Sequence, residues 1–304
     1  MDILSDILKG ANFSSAVYFK TGLTAPWGMK MGESGVAQFH LIVRGRCFVK
    51  ARHDENHDVL YGGDIVVFPR GHAHWLADHP RSKKVSGQEM LHSISLNRND
   101  EIADPNKDKT TLICGHFEWN QLDHPFFNEL PNMIRLSVTS EQSKTFQGIV
   151  NLIIDEKGND QPGEELVVNR LAEVLFIEIL RLYAKNKIKE PCFLQALTDP
   201  EIKSALAMIH SDPALNWTLT SLARDVGLSR TLFANRFRNT IGQTPIDYLT
   251  NWRMIKAKEL LRSTNNPISQ VAGMVGYVSE VTFHRVFKSR FDTTPGAYRK
   301  SIPV

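Results

Sequence analysis

The chain has 304 residues, 42% of them hydrophobic and 23% charged, which supports packed cores and, at this length, two domains. Three dispersed cysteines, Cys47, Cys114 and Cys192, exclude a disulfide framework and a cysteine-built zinc site and point to a reducing, cytoplasmic setting. The net charge of +3 is uneven: residues 196–304 carry 14 Lys/Arg against 8 Asp/Glu and the remainder 22 against 25, so only the C-terminal part suits a polyanion.

The N-terminus carries Asp2 and Asp6 and has no long apolar run, so neither a signal peptide nor a membrane span is expected. Residues 1–9 predict a short amphipathic helix with Ile3, Leu4, Ile7 and Leu8 on one side. From about Phe13 to Trp119 the pattern becomes β-like. Runs at 38–43, 47–51, 64–68, 91–95 and 111–117, punctuated by Gly, His, Asp and Asn, predict a barrel or sandwich. After His124 the periodicity is helical, over 139–154 and 164–184. In the second stretch Leu166, Arg170, Leu171, Val174, Leu175, Glu178 and Leu182 form a broad mixed stripe, and Phe176, Ile177 and Ile179 add apolar surface on other sides. Residues 164–184 are therefore expected to bury against both their own domain and a second copy, giving a homodimer. A charged stretch, 185–190, ends at Pro191 as the expected linker, and the C-terminal helical domain is expected to begin near Thr198.

The last hundred residues contain one unit twice. Ala223 and Gly227 return 49 residues later as Ala272 and Gly276, while Phe233, Phe237, Pro245 and Tyr248 return 50 residues later as Phe283, Phe287, Pro295 and Tyr298. The extra residue falls in the turn after the glycine. Thr218 or Thr220 can cap a short helix through Val226, Ala223 leaves room for a crossing helix, Gly227 permits a left-handed turn, and Ser229 can cap the next helix. With Phe233 and Phe237 inward, the outward side chains are Arg230, Thr231, Ala234, Asn235 and Arg238; in the copy they are Glu280, Val281, His284, Arg285 and Lys288. This is helix-turn-helix geometry, with the second helix of each unit available to the major groove of double-stranded DNA. Asn235 suits adenine, Arg285 suits guanine, and Thr231 and Val281 suit thymine methyl groups, while Arg230, Arg238 and Lys288 suit phosphates. The intervening helix, residues 245–261, extends roughly 25 Å at 1.5 Å per residue, a length compatible with readers in successive grooves about 34 Å apart. The scaffold repeats but the outward faces differ, so the site is expected to be directional.

Two resemblances follow. Residues 198–301 resemble the AraC/XylS transcription regulators, most specifically through V-G-Y-V-S-E-V-T-F-H-R-V-F-K-S-R-F-D-T-T-P-G-A-Y-R, Val275 to Arg299, which holds the signature positions Gly276, Tyr277, Phe283, Phe287, Pro295 and Tyr298. The segment G-D-I-V-V-F-P-R-G-H-A-H, Gly63 to His74, is similar to the second motif of the cupin β-barrels. Gln38 stands where the first motif places Glu, and the His-x-His pair before it is missing. His74 with His40 and His72 makes an incomplete ligand set, so no metal, no cofactor and no enzyme activity are expected. Trp27, Phe39, His40, Phe48, His74 and Trp75 are the candidate lining of an effector pocket. I-C-G-H-F at 113–117, with E-L-P-N-M-I at 129–134, resembles a cupin subgroup that includes oxidant sensors, which makes Cys114 a redox candidate.

The resemblance implies an α+β chain. Residues 1–190 would form a cupin-like effector-binding and dimerisation domain, with a barrel over about 13–120 and helices over about 125–186. Residues 191–304 would form an all-α DNA-binding domain, with helix-turn-helix units at about 218–241 and 267–291 and a linker helix at about 245–262. It implies a sequence-specific, effector-responsive transcription activator whose partners are DNA, a small-molecule effector, a second copy and RNA polymerase. The alternatives are a redox regulator sensing through Cys114 and a cupin enzyme fused to a DNA-binding domain.

Overall fold

A computed structural model describes residues 3–11, 13–52, 54–95, 109–119, 125–128, 130–137, 144–157, 161–186, 196 and 199–301. Cys192, Thr198 and most of the expected linker lie outside these. Contacts divide the chain into two units: residues 12–120 with 130–187, and residues 1–11 and 121–129 with 188–304.

Among its described residues the first unit has ten strands: β1 (Ser14–Thr24), β2 (Gly28–Met31), β3 (Ala37–Arg44), β4 (Arg46–Ala51), β5 (Asp58–Tyr61), β6 (Ile65–Phe68), β7 (His74–Ala77), β8 (Val85–Ser86), β9 (Lys109–Glu118) and β10 (Ile134–Leu136). They form two five-stranded sheets, ordered β1-β9-β3-β6-β10 and β5-β4-β7-β2-β8. All neighbours are antiparallel except β2 and β8. The inner faces meet through Ile42, Val66, Phe68, Leu112 and Cys114 of one sheet and Met29, Cys47, Val49, Leu60 and Leu76 of the other. The expected barrel is thus a cupin-like pair of facing sheets, and among the described residues no strand pairs across from one sheet to the other to close it.

Four of the expected runs are strands, and one is not. Residues 91–95 belong to helix α2 (Gly87–Ser95). Ser86 Oγ accepts from the Glu89 amide and Glu89 Oε2 accepts from the Ser86 amide, each at 3.1 Å, a reciprocal cap that starts a helix. Met90 and Ile94, four residues apart, then reach the core on one helical face.

Helices α4 (Lys144–Glu156) and α5 (Glu164–Asn186) complete this unit. α5 lies against β1, where Asn169 Oδ1 accepts from the Val17 amide at 3.0 Å and its carbonyl accepts from Ser15 Oγ at 2.6 Å. This bond meets the strand where its pairing with β9 shifts register, between Val17 and Phe19. Phe176 of α5 stacks with Phe13 and Trp119 and meets Phe117 in a tilted contact.

The second unit is helical: α1 (Ile3–Gly10), α3 (Pro125–Asn128), α6 (Pro200–Ser211), α7 (Leu219–Asp225), α8 (Arg230–Ile241), α9 (Pro245–Ser263), α10 (Ile268–Met274), α11 (Glu280–Phe291) and α12 (Pro295–Lys300). In α1, Ile3, Leu4, Ile7 and Leu8 are buried as the amphipathic pattern predicts, and the helix packs on α6. A division of the chain at residue 190 places residues 1–11 and 121–129 in the first domain; by contact they group with the second unit. Among the described residues no helix is long and apolar enough to cross a membrane.

Candidate nucleic-acid interface and sensor interior

Each reader is assembled from local signals. In the first, Thr218 and Ser221 cap α7 reciprocally, Thr218 Oγ1 accepting from the Ser221 amide at 3.0 Å and Ser221 Oγ from the Thr218 amide at 2.9 Å. Ala223 is buried at the crossing, Gly227 turns at φ +74°, and Ser229 caps α8. In the second, Ala272, Gly276 at φ +83° and the cap Ser279 on α11 repeat the plan. Phe233 and Phe237, like Phe283 and Phe287, are fully buried.

The backbone locates the extra residue of the second copy. The Leu228 amide donates to the Ala223 carbonyl and the Tyr277 amide to the Ala272 carbonyl, each at 2.9 Å. Leu228 and Tyr277 therefore occupy equivalent places, and Val278 is the inserted residue, fully exposed ahead of α11.

Burial of the two phenylalanines turns the opposite side of each helix outward. On α8, Arg230, Thr231, Asn235 and Arg238 are exposed and Ala234 is half-buried. On α11, Glu280, Val281, Arg285 and Lys288 are exposed, while His284 is half-buried with Nε2 3.5 Å from Glu280 Oε1. Each face thus offers both base-edge donors and phosphate-neutralising cations. Arg236, absent from the outward set predicted for this helix, turns the other way. Its Nε donates to Asp199 Oδ2 at 2.8 Å and its Nη2 to Glu201 Oε2 at 2.9 Å, tying α8 to the start of α6. Burial opposes ionisation of Asp199, but hydrogen bonds from Arg236 and the Ile202 amide hold its carboxyl below the usual range. The signal available in sequence was its place beside Phe237, on the inward flank of the helix.

The linker α9 is capped by Thr244, carries Pro245 in its first turn and runs 19 residues, about 28 Å at 1.5 Å per residue. Tyr248 meets Phe237 of the first reader edge to face at 5.9 Å, and Met254, Ala257 and Leu261 pack with Val271, Ala272, Phe283 and Phe287 of the second. One rigid helix thereby carries both readers.

In the sensor, strand alternation separates the six pocket candidates. Trp27, His40 and His74 are buried on the interior side. Phe39, one residue from His40, points to the opposite face and stacks on Phe117 at 4.7 Å. Phe48 alternates with the buried Cys47 and Val49 and meets His57 and His79, while Trp75 lies under the Lys84 ammonium at 4.3 Å. A shift of one residue along a strand reverses the face, and composition alone does not show that phase.

The interior holds a polar chain. His74 Nδ1 donates to the His72 carbonyl at 2.7 Å, which leaves Nε2 as an acceptor. His40 Nε2 donates to it at 2.8 Å, so His40 Nδ1 accepts from the Cys114 thiol at 3.0 Å. Burial, and then the neighbouring His74, pushes His40 well below the usual imidazole range, and burial lowers His74 to about 4 despite the bond to His72. Burial, then Cys47, raises the Cys114 thiol well above its ordinary value; burial, then Asp64, raises Cys47 to about 12. Every member is neutral. Cys114 is a protonated, buried thiol, not the thiolate a reactive sensor uses. His40 is its direct cross-strand partner, a neighbour the sequence hides 74 positions away. The His40 and His74 Nε2 atoms are turned on each other, and among the described residues no group of three His, Cys, Asp or Glu is arranged to hold a metal ion.

A two-sheet sensor unit followed by two outward reading helices on one linker defines a DNA-binding transcription regulator. A cupin family profile matches residues 2–185 and a helix-turn-helix domain profile matches residues 222–301. The chain belongs to the cupin-bearing regulators of the AraC type. It is 29% identical over 306 residues to the HTH-type transcriptional regulator AlkR of Acinetobacter baylyi, covering 99% of each chain. It is 28% identical over 303 residues to a putative AraC-like transcription regulator of Streptomyces lividans, covering 99% of this chain and 98% of that one. Among solved structures, the C-terminal domain of AraT, a response regulator from Geobacillus stearothermophilus, shares 31% identity over 34% of this chain and 88% of that one, with a TM-score of 0.34.

Proposed function

We propose that this regulator binds DNA as a homodimer in the bacterial cytoplasm, each subunit reading two unlike half-elements in successive major grooves, and that a small effector in the sensor interior changes how the readers are presented to DNA and RNA polymerase. The observation that carries the reading is the pair of exposed faces, chemically different, on one linker helix: Arg230, Thr231, Asn235 and Arg238 on α8, and Glu280, Val281, Arg285 and Lys288 on α11. Asn235 and Arg285 take the base-reading roles, Thr231 and Val281 meet thymine methyl groups, and Arg230, Arg238 and Lys288 neutralise phosphates. Effector binding is supported by two buried polar atoms on the sensor's interior side, Trp27 Nε1 and Gln38 Oε1, that have no partner among the described residues. An acceptor group would satisfy Trp27 Nε1 and a donor group Gln38 Oε1.

Footprinting with full-length protein tests this. Two adjacent grooves per subunit should be protected over an ordered, asymmetric pair of half-elements. Arg285→Ala should cost about 1–3 kcal/mol and relax discrimination at one base pair. Binding without sequence preference at physiological salt contradicts the reading, and uniform weakening of all sequences by Arg285→Ala makes Arg285 a phosphate contact.

A further inference from the structure

Arg253 sits midway along α9, half-buried, and its guanidinium reaches away from its own helix. Nε donates to the Pro213 carbonyl at 2.7 Å and Nη2 to the Leu215 carbonyl at 2.8 Å. Both acceptors lie in the connector between α6 and α7, the segment that leads into the first reader. The same guanidinium lies over the ring of Tyr277, 5.7 Å from its centroid, and Tyr277 forms the turn of the second reader. Gly276 closes the contact: a Cβ there would stand 2.8 Å from both the Ala214 carbonyl oxygen and Arg253 Nη2. Gly227, its counterpart in the first turn, has open space around it. The second turn therefore needs glycine for close approach as well as for its positive φ.

Three segments meet at one side chain: the lead-in to the first reader, the linker helix and the turn of the second reader. The asymmetry of the repeat is part of the device, since Tyr277 takes the place that Leu228 holds in the first turn and offers a ring face to the cation. A planar fork donates to two carbonyls at once while stacking on an aromatic face, which an ammonium does not reproduce.

We propose that Arg253 is a positioning residue that fixes the separation and orientation of the two reading helices, and so makes the protein discriminate the number of base pairs between its half-elements. This rests on both helices reading DNA as proposed above. One base pair changes the separation by about 3.4 Å and the rotation by about 35°, with roughly ten base pairs per turn. A rigid pair of readers loses one set of base contacts at that offset; a loosened pair swings to recover them.

The test is a titration of full-length protein against three duplexes: the footprinted site, the site with one base pair inserted between half-elements, and the site with the second half-element scrambled. Wild type should bind the inserted site at least about tenfold more weakly, the size of a lost base contact. Arg253→Ala should reduce that ratio to about threefold or less while leaving affinity for the scrambled site within about twofold of wild type, because no base contact is removed. Arg253→Lys should fall between them. Tyr277→Leu, which installs the first reader's residue, should lower the same ratio and serves if the alanine variant does not fold. An equal loss on all three duplexes with the ratio intact overturns the proposal, as does a wild type indifferent to the insertion. Indifference of wild type to scrambling the second half-element is a separate result, and it is the two-reader function that then fails.

Discussion

The imidazole of His74 spends its Nδ1 proton on the His72 carbonyl and its Nε2 lone pair on His40, so a proton added to it breaks a bond in an interior that burial already makes hostile to charge. Its folded-state value of about 4 lies below the ordinary 6.5, and the consequence for stability has a definite sign. Above pH 6.5 neither state binds the proton and the contribution is intact. As pH falls below 6.5 the unfolded chain protonates first, and stability is lost until about pH 4, where the folded chain protonates too. His74 alone accounts for about 3 kcal/mol over that window at 1.36 kcal/mol per unit. Urea denaturation of wild type and His74→Gln from pH 7.5 to 4.5 checks it: the difference between them should shrink on acidification, and a pH-independent difference rules out a buried neutral imidazole. The readers on α8 and α11 were legible because helical phase is local, with Phe233 and Phe237 four residues apart setting which side faces out. The pairing of His40 with Cys114 was not, because only strand register, set by the whole sheet, brings them together.

At the scale of elements, local capping decided several assignments that hydrophobic pattern left open. Thr218, Ser229, Thr244 and Ser279 each accept an amide at the start of a helix, and each stands where a cap residue is readable in sequence. Ser86 and Glu89 are the same signal, three residues apart, but the short apolar run of 91–95 was read by its β-like content, and short runs do not separate strand from helix by periodicity. The expected pocket shows the reverse case: the strands carrying Phe39 and Phe48 lie where the sequence predicts them, yet the faces of these two side chains, and of Trp75 on a strand outside the predicted runs, depend on a one-residue phase that the fold supplies. If the reciprocal cap selects the helix, Ser86→Ala should lower the stability of the chain by about 1 kcal/mol, because it strands the Glu89 amide and frays the helix that carries Met90 into the core. Denaturation midpoints measure it, and DNA affinity of the folded variant should not change; a variant as stable as wild type shows that packing alone holds α2.

For the whole molecule the remaining question is how a directional pair of readers becomes a strong operator binder. One subunit offers two reading helices, and affinity for a longer site rises steeply when a second subunit is held beside it, because its binding becomes intramolecular. We propose α5 as the surface that holds it. Val168, Leu175, Phe176 and Ile179 are buried in their own unit, but Leu166 is 62% exposed and Val174 46%, two turns apart, with Val167 beside them and Leu152 exposed on α4. Arg170, exposed and paired with Glu173, lies between Leu166 and Val174 on the same face, and Arg181 with its partner Glu178 continues that line, so the exposed side is a mixed apolar and charged stripe. A stable dimer buries about 1,200–2,000 Å² in total, so this stripe would form part of it, and replacing both apolar side chains by aspartate would remove its apolar contacts and add charge to be desolvated. Leu166→Asp combined with Val174→Asp should convert the protein to a monomer in sedimentation equilibrium. It should leave affinity for one subunit's pair of half-elements within about threefold, since no DNA contact is touched, and lower affinity for a two-subunit operator by about a hundredfold. A double variant that sediments as a dimer removes α5 as the interface. A monomeric variant that binds the full operator as tightly as wild type shows that the second subunit adds no affinity through this face.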